Sequence, residues 1–120
     1  MFTEKAHLKQ TKVVAVLFGQ KQARSGFKAG IQKPYGYVVW GDDVPDGSQC
    51  NITISNVTKA QRVYERHFLH DMNITEDAYN YEGGKIIELN PLWYKQIGRY
   101  KISLIVNGKR KSESFFSILP

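Results

Sequence analysis

The most constraining feature is the stretch from Tyr100 to Ile118. Tyr100, Ile102, Leu104 and Val106 alternate with more polar residues, Asn107-Gly108 follows, and Ser114, Phe116 and Ile118 alternate on the way back. Period-two alternation places one apolar face on each strand. Asn-Gly between two such runs predicts a two-residue hairpin, because a type I′ turn needs positive φ at both central positions. Lys109, Arg110 and Lys111 then fall at the hairpin tip or just beyond it.

The rest of the chain reads in the same way. Lys12 to Phe18 is a short β-branched run ending at Gly19, expected to be a strand buried on both faces or centrally placed. Gln20 to Gly30 is basic and polar, a loop or an irregular edge. Tyr35 to Trp40 is a strand of aromatic and β-branched residues. The turn 41–47 combines Pro45 with Asp42, Asp43, Asp46 and two glycines. In the next strand Cys50, Ile52 and Ile54 face one side, and Asn51, Thr53 and Ser55 the other. Arg62 to Leu69 fits either strand or helix, and its alternation favours strand. Thr75-Glu76-Asp77 resembles a helix N-cap, with one turn at most over Ala78 to Tyr81 before Gly83-Gly84. Lys85 to Leu89 is a further strand.

Six or seven short strands in 120 residues predict one all-β domain over 1–120, a sandwich or a small barrel. Hydrophobic residues at 42% and charged residues at 23% exclude a disordered or collagen-like chain. No apolar run reaches the roughly 20 residues of a membrane-spanning helix. The stretch Met1 to His7 has no apolar signal-peptide region, which predicts a cytoplasmic protein. Without a signal, the N-x-[ST] triplets at Asn51, Asn56 and Asn73 read as strand and turn composition.

Gly98-Arg99-Tyr100 at the head of the long strand resembles the tyrosine corner of immunoglobulin-like sandwiches. The segment from Leu89 to Ile118 resembles the last three strands of small immunoglobulin-like domains found in bacterial and phage proteins of unknown function. The resemblance covers about a quarter of the chain. It implies a single antiparallel immunoglobulin-like sandwich of about seven strands, and a binding or assembly role, such as a bacteriophage structural or accessory subunit placed in the virion. The chain departs from antibody-type domains, since Cys50 is its one cysteine.

Function is read from what is present. No G-x-S-x-G, H-E-x-x-H, P-loop or G-x-G-x-x-G occurs, and Cys50 shares the inward face of its strand with Ile52 and Ile54. No enzyme and no cofactor are expected. His67 and His70 point to opposite faces of a strand, and the aspartates of 42–46 do not match a calcium loop, so no metal is expected either. Tyr79, Tyr81, Trp93 and Tyr94 fall in predicted loops flanking one strand. Tyr and Trp there bury large area at little entropic cost, which makes them candidate anchors for a protein partner or for self-assembly.

Net charge is +6, distributed as +6 over 1–40, −5 over 41–94 and +5 over 95–120. That asymmetry suits electrostatic docking to a protein. The alternative is a basic nucleic-acid-binding barrel, like an OB-fold, using Lys21, Arg24, Lys28, Lys109, Arg110 and Lys111. If the first and last strands are neighbours, these residues are expected to form one patch.

Overall fold

Alternating apolar residues give strands two unlike faces, and two sheets here bury the like faces against each other. The computed structural model describes residues 10–20, 22–41, 43–70, 79–81, 84–88 and 95–120, with backbone alone for 79–81 and 84–88. Nine strands lie in this part: β1 (Lys12–Val16), β2 (Gly26–Lys28), β3 (Tyr35–Val39), β4 (Gln49–Asn56), β5 (Gln61–Leu69), β6 (Tyr79–Tyr81), β7 (Gly84–Glu88), β8 (Gly98–Val106) and β9 (Lys109–Leu119). No α-helix occurs among the described residues, and no helix there is long and apolar enough to cross a membrane.

The strands form two sheets, of order β1-β3-β7-β6 and β2-β9-β8-β4-β5. All pairings are antiparallel except β2 with β9, where Gly26 to Lys28 run parallel to Ser117 to Leu119. The architecture is therefore all-β, as the alternation predicts. It corrects the expectation of about seven strands in purely antiparallel sheets. The extra elements are short: β2 and β6 span three residues each, too few for a periodicity to show. The split into two sheets also replaces the barrel of the alternative reading.

The core lies between the sheets. Val13, Phe27, Val38, Ile52, Ile54, Tyr100, Ile102, Leu104, Phe116 and Ile118 are all at most 1% exposed. β1 is apolar on both faces: Val13 and Ala15 join this core, while Val16 packs with Tyr37 on the other side. It is nevertheless an outer strand of its sheet and not a central one. Its neighbour across the sandwich is β9. The Val13 N–H donates to Ser112 Oγ at 3.1 Å, and Ser114 Oγ donates to the Val13 carbonyl at 2.6 Å.

The hairpin forms as predicted. Val106 pairs with Lys109, and Asn107 and Gly108 take φ of 49° and 84°. One residue on, the register shifts between Leu104 and Ile105, so that Leu104 faces Ser112 and Ile105 faces Arg110. Lys111 is the extra residue of this bulge. The Tyr100 phenol donates to the Gln96 carbonyl at 2.8 Å, four residues upstream. Burial pushes its pKa up, with the Asn56 amide acting against this. A side chain at Gly98 would meet that amide at 3.3 Å, a physical reason for glycine two residues before the tyrosine.

Arg62 to Leu69 is strand, within β5. By contrast, Tyr79 to Tyr81 are strand β6, paired with Gly84 to Ile86, and not the end of a helical turn. Residues 75–78 lie outside the described part.

Candidate functional site

The outer face of the five-stranded sheet is where the described side chains gather charge. Strand register fixes its rows. Glu113, Ser103, Thr53 and Glu65 stand in line across β9, β8, β4 and β5. Beside them run Phe115, Lys101, Ser55 and Arg62 on one side, and Arg110, Ile105, Asn51 and His67 on the other. In the central row the short hydroxyl side chains of Thr53 and Ser103 lie between the glutamates of the flanking strands. The result is a shallow depression of about 310 Å³ lined by Thr53, Ser103, Arg62, Lys101 and Arg110. Thr53 and Ser103 are only 5% and 4% exposed although they face outward.

Two glutamates organise the cations. Glu113 accepts Arg110 at 3.0 Å and approaches Lys101 at 3.8 Å. Glu65 accepts the Asn51 amide at 2.8 Å, lies 3.1 Å from His67 Nε2 and 3.6 Å from Arg62. The Asn51 hydrogen bond, supported by Arg62 and His67, holds the Glu65 carboxyl below its ordinary pKa. Both glutamates stand at the surface, where such pairs stabilise little.

Towards the end of the sheet away from the hairpin the outer face turns apolar. Phe115 and Leu119 are each 45% exposed, and the Arg99 guanidinium lies 5.2 Å from the centre of the Phe115 ring. Ile97, just before β8, is 58% exposed. The alternation that points Phe116 and Ile118 inward already points Phe115 and Leu119 outward, so these were findable in the sequence.

The predicted basic residues are not brought together. Lys28 pairs with Leu119 at one end of β9, and Lys109 begins the strand at the other, roughly 30 Å away. The first and last strands are indeed neighbours, but the length of β9 divides the expected patch in two. Arg24 is turned onto its own segment, donating to the Gly26 carbonyl at 2.8 Å and approaching Gln32 Oε1 at 3.4 Å. Arg110 is paired with Glu113, and Lys111 lies 3.3 Å from Asp43. Lys21, Trp93 and Tyr94 lie outside the described residues, as do the side chains of Tyr79 and Tyr81, whose backbone forms β6 at the edge of the four-stranded sheet.

The remaining candidates have structural partners. Asp43 accepts from the Thr11 hydroxyl at 2.7 Å and from the Thr11 amide at 3.1 Å. Burial pushes its pKa up, but these bonds and Lys111 outweigh it and leave it lowered. Asp42 lies outside the described residues. His67 is exposed, whereas His70 is 3% exposed and stacks on Trp40 at 3.9 Å between ring centres. Cys50 is buried and forms no disulfide. Among the described residues no group of three metal-ligating side chains converges.

No family model and no curated protein matches this chain. Among solved structures, the Pseudomonas fluorescens alkylpurine DNA glycosylase AlkC bound to DNA containing an abasic site analog aligns at a TM-score of 0.44 and 11% identity. That alignment covers 92% of this chain and 31% of the glycosylase, so the chain spans under a third of that protein. Similarity at this level carries no argument about fold or function.

Proposed function

We propose that the chain is a non-enzymatic immunoglobulin-like module that docks a protein partner or assembles into a larger complex. The strand orders support the immunoglobulin-like part. β1-β3-β7-β6 corresponds to the A-B-E-D sheet of such domains, and β9-β8-β4-β5 to G-F-C-C′. The Tyr100 to Gln96 hydrogen bond is the contact that a tyrosine corner makes. Ile102 stands two residues after that tyrosine, where antibody-type domains have a cysteine. Apolar packing here does the work of the inter-sheet disulfide.

The observation behind docking is the outer face of β8 and β9, where Phe115, Leu119 and Ile97 meet solvent beside Arg99. Single exposed apolar residues are ordinary, but a neighbouring set with an arginine is what an interface centre uses. Tyr79, Tyr81, Trp93 and Tyr94 remain the second proposed anchor group. The test is partner capture by tagged chain from extracts of its source cells. Phe115→Asp should lose the partner while the unfolding midpoint stays within a few degrees. Retention by Phe115→Asp and by a Trp93→Ala/Tyr94→Ala double variant would overturn the reading.

The cationic lining of the depression, Arg62, Lys101 and Arg110, favours nucleic acid as a second reading. Fluorescence anisotropy with labelled oligonucleotides decides it. Binding should weaken by roughly 0.7–0.9 log units per phosphate contact for each tenfold rise in salt. No binding at low salt removes this reading.

A further inference from the structure

We propose that β5 is a self-pairing edge. Two copies of the chain join antiparallel through their β5 strands, about a two-fold axis at Arg66, and continue the five-stranded sheet across the junction. This goes beyond the docking reading and does not depend on the Phe115 surface.

β5 is the outermost strand of its sheet among the described residues, and at nine residues it is long for an edge. The direction of its backbone groups follows from its partner. The His70 amide donates to the Ser48 carbonyl, and the His70 carbonyl accepts from Gly47, so residue 70 turns both groups towards β4. Alternation then turns 68, 66 and 64 towards β4, and 69, 67 and 65 away from it, towards the side where no described strand lies. An edge of this length offers a row of donors and acceptors to another strand.

Edges are usually kept single by charge, and β5 has charge in Arg62, Glu65 and Arg66 beside the polar His67. Their order is what matters. A two-fold axis normal to the sheet keeps outer residues opposite outer ones and inner opposite inner. Only registers that pair 65, 67 and 69 among themselves allow the open groups to bond. With the axis at Arg66, Glu65 of each copy faces His67 of the other, and Tyr64 of each faces Phe68 of the other. Acid meets imidazole on the outer face twice. Aromatic meets aromatic twice on the inner side, where both residues already pack against the core. The like pair Arg66 with Arg66 is the one mismatch. Moving the axis to Glu65 sets Glu65 against Glu65 and Tyr64 against Arg66. Moving it to His67 sets Glu65 against Leu69 and Arg66 against Phe68. Both lose the complementarity.

At the other edge of the sheet β2 has three residues, too few for a comparable ladder. The two-fold β5 contact uses the same strand on both copies and so closes as a dimer, not a filament.

The register gives a covalent test. Arg66 and its symmetry mate form a non-hydrogen-bonded pair, with Cα atoms about 4.5 Å apart, inside the roughly 4.4–6.8 Å range of a disulfide. Arg66→Cys also removes the mismatch. Under mild oxidation it should form a disulfide-linked dimer at least about tenfold faster than the exposed turn variant Lys59→Cys, the gain that pre-association gives over random encounter. All cysteine variants carry Cys50→Ala, because Cys50 lies on the same inner face as residue 66 on the neighbouring strand. Adding Glu65→Lys should slow cross-linking, and adding His67→Glu to that variant should restore it. Circular dichroism confirms that each variant is folded. Cross-linking of Arg66→Cys at the Lys59→Cys rate overturns the proposal, and so does failure of the charge swap to restore it. Phe115→Asp leaves this result unchanged, so failure of the docking reading shows separately.

Discussion

The two sides of the five-stranded sheet are built on different plans. On the β2–β9 side everything is fastened. Phe27 of the short β2 is fully buried and meets Phe116 edge-to-face at 5.6 Å. Ser112 and Ser114 hold the backbone of Val13 in the opposite sheet. Asp43 ties Thr11 to Lys111. On the β5 side the strand is held by its ladder to β4 and by Phe68, which meets Trp40 edge-to-face at 6.2 Å, and its Val63, Tyr64 and Phe68 are only partly buried. The difference teaches where this fold keeps its rigidity and where it leaves backbone for a neighbour. The fastened side closes the sandwich, and the β5 side presents a long strand whose order of residues suits the proposed self-pairing.

The largest expected effect strikes the fastened side. Phe27→Ala should cost about 3–5 kcal/mol, the range for deleting a buried aromatic ring. Phe68→Ala, on the partly buried open edge, should cost clearly less. Denaturant unfolding of both variants measures the gap. Equal losses would break the comparison, because the β5 edge would then be as deeply anchored as β2.

The sequence foretold one side better than the other. Asn107-Gly108, the alternation of Cys50, Ile52 and Ile54, and the glycine before Tyr100 each dictate local geometry, and each appears as expected. β2 could not be read. One buried phenylalanine in three residues has no period, and its parallel pairing to β9 is a long-range choice made by the core. The basic hairpin was visible as exposed charge, but its partners were not. Glu113 reaches Arg110 within the strand, whereas Asp43 meets Lys111 across 68 positions of chain, beside a bulge that no local signal marks. The expected basic patch failed for a simple metric reason: β9 is eleven residues long and its two ends are far apart.

The next effect sharpens the comparison at the seam between the sheets. Ser112→Ala and Ser114→Ala each leave a polar group of Val13, which is 0% exposed, without its side-chain partner. Each should cost about 1–3 kcal/mol, the penalty of an unsatisfied buried group. Hydrogen exchange should show the Val13 amide losing protection in Ser112→Ala, while amides of β5 keep theirs. Accelerated exchange throughout β5 would mean that the two sides unfold as one unit and are not separately built.

The smallest effect separates two acids that are both lowered in pKa, one on each side. Asp43 is partly covered, and Thr11 and Lys111 favour its charged form, whereas Glu65 is at the surface with Asn51, Arg62 and His67. In the unfolded chain Asp43 titrates near its ordinary value of 3.8. Its folded pKa lies lower, so its contribution is fully present above 3.8 and is lost as pH falls through the folded value. Glu65 has the same sign, but solvent and salt screen it. Stability measured by urea unfolding from neutral pH into the acid range should therefore fall in a way that Asp43→Asn flattens and Glu65→Gln hardly alters. Asn keeps an acceptor for the Thr11 hydroxyl, so the variant removes charge more than shape. If Glu65→Gln flattened the profile instead, the acid-sensitive fastening would lie on the open side, and the contrast between the two sides would be reversed.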